Sequence, residues 1–261
     1  MPRRRCGKNI NACWLPGKPA RGSIICAQPR LRKLSTPEKE TRVKCKGFLF
    51  DLDGTLVDSL PAVERAWSNW GKRHGIDADE ILSFIHGKQA ITSLRHFMRG
   101  SSEEEIQQEF QLLEKTEAED TEGVTALPGA CELLEHLNAL AIPWAIVTSG
   151  SVPVAFARRQ AAGLPLPTHF VTAERVKNGK PEPDAYLFGA ELLGLHPADC
   201  VVVEDAPAGI LSGLAAGCTV IAVNAPATTP RLAETALQLT TLNALRIVKD
   251  DDGTITVLTQ E

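Results

Sequence analysis

From residue 46 onward, short runs of apolar residues alternate with stretches in which apolar positions recur every three or four residues. The runs at 47–51 (GFLFD), 143–148 (PWAIVT), 169–172 (HFVT), 200–204 (CVVVE) and 219–223 (TVIAV) predict β-strands. They are continuously apolar, as expected of strands covered on both faces. Helical patterns fall between them at 130–140, 152–162, 183–193 and 207–216. This succession argues for an α/β fold with a parallel sheet and right-handed crossovers.

One gap breaks the alternation. About 90 residues separate the first strand from the second, and they read as helices at 61–74, 79–85, 90–99 and 102–115. Val63, Trp67, Trp70 and His74 share one helical face, with Ser59 in the capping position and Pro61 in the first turn. Ser102 and Glu105 form a capping-box pattern ahead of Ile106, Phe110 and Leu113. These stripes read as core. The pattern predicts a helical subdomain over 60–126, inserted into a core made of 45–59 and 127–261.

Charge divides the chain differently. The formal net charge is −4, but residues 1–44 hold 12 Lys and Arg against two acids, a net of +10. The other 217 residues hold 16 against 30, a net of −14. With five Pro, three Gly and one aromatic, Trp14, the basic arm has too little apolar surface to offset its ordering entropy and is expected to be disordered. A nucleic-acid-binding arm, a transit peptide or an over-extended start with synthesis from near Val43 would each fit. The over-extended start is favoured, because the strand and helix pattern begins at Lys46 and uses nothing before it.

Seven scattered cysteines lack any CxxC pair, which excludes a zinc ribbon, and Cys200 and Cys218 read as small core residues. No apolar run approaches the ~18 residues of a membrane span. A cytoplasmic monomer is expected, with no membrane or nucleic-acid partner.

The candidate chemistry lies at strand ends. The first strand runs into Asp51-Leu52-Asp53-Gly54-Thr55, where alternation puts both carboxylates on one side. Ligands of open α/β sheets bind at such carboxyl ends. An EF-hand is excluded, because the third acidic position and the Glu at position 12 are missing. Thr148-Ser149-Gly150-Ser151 opens a helix after the second strand, offering hydroxyls and amides to an anion. Lys180 sits in a loop stiffened by Pro181 and Pro183, and Glu204-Asp205 closes the fourth strand. Together these supply a nucleophile, an anion cradle, a cation and a metal-binding acid, the parts of a phosphoryl-transfer site. No Walker A, G-x-G-x-x-G, G-x-S-x-G or H-E-x-x-H pattern points to another enzyme class.

DLDGT, VTSGS, GKPEPD and VVVEDAPAG, in this order, resemble the four motifs of the haloacid dehalogenase superfamily. With helices inserted after the first motif, the chain resembles its phosphatase branch with an α-helical cap, and bacterial sugar and polyol phosphatases most of all. The resemblance covers residues 46–230. It implies a Rossmann-like core and an aspartyl-phosphate on Asp51. It implies Mg²⁺ held by Asp51, Asp205 and the backbone carbonyl of Asp53, with Glu204 an additional or supporting ligand. Lys180 would neutralise nucleophile and phosphate. Ser149, favoured over Thr148, would hold phosphate oxygens with the amides of Gly150 and Gly54. Asp53 would act as acid for the leaving alkoxide and base for water, which distinguishes phosphatases from relatives lacking this second Asp.

The substrate implied is a small sugar or polyol phosphate. The loop His86-Gly87-Lys88-Gln89 is the candidate to reach it, with Lys88 contacting hydroxyls or phosphate, or else it is a solvated turn. His74 and His96 read as packing or surface residues, and Arg158 and Arg159 as a solvated helix face. A β-phosphoglucomutase-like mutase would share every core residue. A regulatory or nucleic-acid-binding protein using the basic arm is the non-enzymatic alternative.

Overall fold

The structure, a computed structural model, describes residues 42–259. Nearly all of the basic arm, with Cys6, Cys13 and Cys26, therefore lies outside the described residues. The chain begins with β1 (Val43–Cys45), β2 (Gly47–Phe50) and β3 (Val57–Asp58). Four helices come next: α1 (Leu60–His74), α2 (Ala78–Ile85), α3 (Ala90–Phe97) and α4 (Glu103–Glu119). After them lie β4 (Thr125–Ala126), α5 (Ala130–Ala139), β5 (Trp144–Val147), α6 (Val152–Ala161) and β6 (His169–Val171). The chain continues through α7 (Asp184–Leu192), β7 (Cys200–Glu204), α8 (Pro207–Ala215) and β8 (Thr219–Val223). It ends with β9 (Leu237–Leu239), β10 (Leu245–Lys249) and β11 (Ile255–Thr259).

Six strands pair in the order β6-β5-β2-β7-β8-β9, all parallel. The period of two along β2 explains why it lies inside. Phe48 and Phe50 enter one apolar layer with Trp144, Leu134 and Leu137, while Leu49 enters the other with Val147, Tyr186 and Ile210. Fully burying each such side chain contributes about 1.5–3 kcal/mol. The chain passes from β2 out to β5 and β6 on one side and then crosses to β7 on the other, so the strand order reverses beside β2 and leaves a crevice at its carboxyl end.

The four helices between β3 and β4 have an apolar cluster of their own, built on Trp67, Trp70, Ile81, Leu94, Ile106 and Leu113. β3 and β4 pair antiparallel where the chain leaves and returns. The Ser102–Glu105 capping box forms, with the Ser102 hydroxyl accepting from the Glu105 amide at 3.2 Å and Glu105 accepting from the Ser102 amide at 2.7 Å. Ser59 holds the capping position of α1 without a side-chain bond. The Leu60 amide donates instead to Asp58 Oδ1, at 3.3 Å. His74 stacks on Trp70 and His96 on Phe84, in the packing roles expected.

Two features depart from the expected pattern. After β8 the chain adds β9 to the main sheet, and β1, β11 and β10 form a separate antiparallel sheet. Val43 faces Val257 and Cys45 faces Ile255, all four buried, so residues before Lys46 do serve the folded core. A three-residue strand carries no period of its own, and its partner lies more than 200 residues away in the chain. The acidic turn Asp250-Asp251-Asp252-Gly253 likewise masks a hairpin whose inner face, Ile247, Ile255 and Val257, joins the main core. Ile247→Ala should therefore cost about 2–5 kcal/mol in urea unfolding. A loss below ~0.5 kcal/mol would mean that this hairpin is peripheral.

Candidate active site

β2 ends at Phe50, and the next residue, Asp51, stays in register because its amide donates to the Val203 carbonyl of β7 at 3.1 Å. The chain then turns tightly, with the Gly54 amide donating to Val57 O (2.8 Å) and the Leu56 amide to Leu52 O (2.9 Å). Gly54 has φ +87°, and a Cβ there would drive into the Asp205 carboxylate, with Cγ at 2.7 Å. Glycine thus lets the turn after β2 touch the end of β7. Thr55 donates from Oγ1 to Asp205 Oδ1 at 2.8 Å and fixes that carboxylate.

Lys180 enters from the loop before α7 and is buried. Its ammonium donates to Asp51 Oδ1 (2.5 Å), Glu204 Oε1 (2.7 Å) and Val147 O (3.1 Å), which occupies all three protons. Glu204 is saturated as well. Its Oε1 also accepts from the Tyr186 hydroxyl (3.0 Å), and its Oε2 accepts the amides of Asp205 and Ala206, each at 2.9 Å. A carboxylate with four donors acts as a fixed counter-charge that holds Lys180 and the end of β7.

Oxygens of Asp51, Glu204 and Asp205 lie within 4.8 Å of one another. At an effective dielectric of about 20, two such charges repel by roughly 3–4 kcal/mol. Burial pushes the Asp51 carboxyl up to about 7, with Lys180 pulling it down and Glu204 pushing it up. Burial, then Glu204 and Asp51, raise Asp205 well above the carboxylate range. Lys180 is driven above its usual value, because Asp51 and Glu204 outweigh its burial. Three carboxylates against one ammonium leave two negative charges over. An all-oxygen donor set with that surplus fits a hard divalent cation, and with Glu204 saturated, Asp51 and Asp205 are the side chains open to it.

A cavity of about 730 Å³ opens above this cluster, between the sheet edge and the inserted helices. The loop 86–89 forms part of its wall, and Ser149 Oγ donates to Gly87 O at 2.9 Å. Gln89 Nε2 donates to Ala173 O at 3.2 Å. Lys88 also lines the cavity, but its ammonium donates to Phe84 O at 2.7 Å and sits 3.4 Å from the Phe84 ring centre. It therefore closes the end of α2 instead of pointing at a ligand. The two amides assigned to phosphate are engaged within the chain, Gly54 on Val57 O and Gly150 on Thr148 Oγ1 at 3.0 Å. A phosphate held by them has to displace these bonds. Thr148, buried, accepts the Gly150 amide through Oγ1, whereas the Ser149 hydroxyl proton is committed to Gly87 O; both residues line the cavity.

Arg158 overturns the expectation of a solvated helix face. It is 4% exposed, with Nη1 3.1 Å from Asp53 Oδ1 and Nη2 2.8 Å from Glu117 Oε1 of α4. The inserted helices cover this stripe of α6, which periodicity within α6 has no means of revealing. Arg159 is half-buried and donates to Leu164 O at 2.9 Å.

The profile of the haloacid dehalogenase-like hydrolases matches residues 45–217. The chain belongs to that family. This haloacid dehalogenase-like hydrolase is 70% identical over 215 residues to hexitol phosphatase A of Escherichia coli (strain K12), covering 82% of this chain and all of that one. It is 36% identical over 198 residues to glycerol-1-phosphate phosphohydrolase 2 of Saccharomyces cerevisiae, covering 71% and 77% of the two chains. Among solved structures, a hydrolase from Pseudomonas syringae superposes with a TM-score of 0.69 at 27% identity, over 76% of this chain and 94% of that one.

The hydrolase site contains groups to which sequence reasoning gave no part in it: Thr55, Tyr186 and Glu117, with Arg158 misplaced on a solvated face. Thr55 is adjacent to the first motif and could have been found there; the others become visible only through partners remote in the chain. Gly209 is a further silent requirement, since a Cβ on it would collide with the buried Glu204 carboxylate. Gly209→Ala should displace Glu204, free Lys180 and lower phosphatase turnover at least tenfold. The overpacking should cost about 1–3 kcal/mol of stability. Unchanged turnover with an unchanged melting temperature would contradict the part given to Glu204.

Proposed function

We propose that this hydrolase is a Mg²⁺-dependent phosphatase of small polyol and sugar phosphate monoesters, working through an aspartyl-phosphate on Asp51. The observation that carries the reading is the buried Asp51 carboxylate, 2.5 Å from the Lys180 ammonium and beside Asp205, under a cavity of about 730 Å³. That volume suits a small-molecule ligand. The 70% identity to a hexitol phosphatase supports a hexitol phosphate as substrate, with water and not a second sugar hydroxyl as final acceptor.

A carboxylate about 4 Å from a phosphate dianion is repelled by roughly 8 kcal/mol at an effective dielectric of 20, so attack needs counter-charge. Lys180 supplies one positive charge, and Asp51, Asp205 and the Asp53 carbonyl would hold a Mg²⁺ that would supply two more. Asp51 attacks phosphorus, the ester P–O bond breaks, and Asp53 gives its proton to the departing alkoxide. The free alcohol leaves an acyl phosphate on Asp51. Asp53, now a carboxylate, takes a proton from a water whose oxygen attacks phosphorus. The bond to Asp51 breaks, inorganic phosphate leaves, and both aspartates return to their starting states. Lys180, its protons already committed, would act on the phosphate through its charge, and Ser149 would hold a non-bridging oxygen once it releases Gly87 O. Residues 60–126 serve as a cap that excludes water and selects the alcohol, with Lys88 available to it once released from Phe84.

The described cysteines are free thiols, which supports a reducing compartment. Among the described residues no helix is long and apolar enough to cross a membrane.

Asp51→Asn and Asp53→Asn should each abolish phosphate release from a panel of hexitol, glycerol and hexose phosphates assayed with Mg²⁺. Retention of wild-type turnover by Asp51→Asn would falsify the nucleophile. The raised carboxyls give a second test. Asp51 titrates near 7 when folded and near 3.8 when unfolded, so the folded state binds more protons between those values. Metal-free stability should therefore fall as pH rises through that window. Mg²⁺ competes with those protons and should bind more weakly at pH 5.5 than at pH 8. At a hundredfold excess over Kd it should stabilise the protein by about 2.7 kcal/mol at pH 8, a rise of several degrees in Tm. Asp205→Asn should remove the rise, and an equal rise at both pH values would contradict this carboxylate site.

A further inference from the structure

Arg158 joins three parts of the chain that the sequence keeps far apart. It projects from α6, meets Asp53 in the turn after β2, and meets Glu117 near the end of α4. Its two terminal nitrogens are divided, one to each carboxylate, and all three groups line the cavity. Burial pushes the Glu117 carboxyl up while Arg158 pulls it down, and the guanidinium itself is held charged by both acids against its own burial.

The contact with Asp53 has an unusual form. Asp53 Oδ1 lies 3.1 Å from Nη1 yet receives no aligned hydrogen bond, although it is buried. A bidentate fork would occupy both carboxylate oxygens and hold them there. Here only Nη1 meets Asp53, at Oδ1, and the fork's other arm is committed to Glu117. The carboxylate is held at one oxygen, while its side chain stays 25% exposed and lines the cavity where a proton would be exchanged. An acid that later serves as a base needs both properties.

We propose that Arg158 is a positioning residue: it aims Asp53 at the leaving oxygen and, through Glu117, makes that aim depend on α4 being seated on α6. The assignment rests on reading Asp53 as acid and base. Seating the inserted helices then completes the acid, so that a substrate which lets them close gains proton transfer as well as exclusion of water.

Leaving-group dependence separates this role from a purely structural one. A hexitol phosphate expels a strongly basic alkoxide and needs the acid, whereas p-nitrophenyl phosphate expels a stable phenolate and does not. For both esters, kcat/KM reports the transfer to Asp51 alone. Arg158→Gln leaves Glu117 buried and unpaired, so the double variant Arg158→Gln/Glu117→Gln, which pairs two amides, is measured beside it, with melting temperature as the check on folding. The double variant should lose about 100-fold in kcat/KM on the hexitol phosphate and under about tenfold on p-nitrophenyl phosphate. Arg158→Lys, which keeps a cation beside Asp53, should recover part of the hexitol loss. Asp53→Asn is the reference and should show the same selectivity, more strongly. Equal losses on both esters in the double variant, with Asp53→Asn still selective, would overturn the role of Arg158 and leave Asp53 standing. Equal losses in Asp53→Asn would overturn the acid–base reading and this inference with it.

Discussion

The site depends on one buried ammonium shared among more carboxylates than it can neutralise. Lys180 gives all three of its protons to Asp51, Glu204 and the Val147 carbonyl, and Asp205 stands beside them with a hydroxyl from Thr55 but no cation. Isolated charges of this kind are expensive to bury, and a single pair barely breaks even. The arrangement is tolerable because Glu204 is saturated by four donors, leaving Asp51 and Asp205 as the carboxylates still short of positive charge. That deficit suits a divalent cation.

The sheet makes the deficit possible. β2 lies between β5 and β7, and the chain reaches them in opposite directions, so three strand ends meet at one crevice. Asp51 succeeds β2, Thr148 and Ser149 succeed β5, and Glu204 and Asp205 close β7. Rigid, doubly covered strands hold these groups to a fixed geometry, and two glycines allow the close approach: Gly54 against Asp205 and Gly209 against Glu204. The inserted helices stand over the same edge through Ser149–Gly87, Gln89–Ala173 and Arg158–Glu117. Each of these ties joins the cavity's roof to its floor.

Much of this was legible in the chain because its causes are local. Continuous apolar runs marked five of the six strands of the main sheet, and Ser102 with Glu105 marked the start of α4 because a capping box closes within four residues. Asp51 and Asp205 stood out because each follows a strand, where side chains face a ligand, and Lys180 because Pro181 and Pro183 stiffen its loop. Asp53 stood out by its spacing from Asp51.

The features that stayed hidden have partners far off in the chain. β1 has three residues and gains its meaning from β11. Arg158, on a helix stripe that looks solvated, is covered only when α4 packs on it. Gly54 and Gly150 were assigned to phosphate from their positions, yet both amides already have acceptors within their own turns. The sequence alone thus determined the order of strands and helices and the kinds of group at each strand end, since periodicity, capping and turn chemistry act over a few residues. Which of those groups share a proton, a cation or a counter-charge was decided by the tertiary structure, because electrostatic coupling depends on distance through space and on the water that packing excludes.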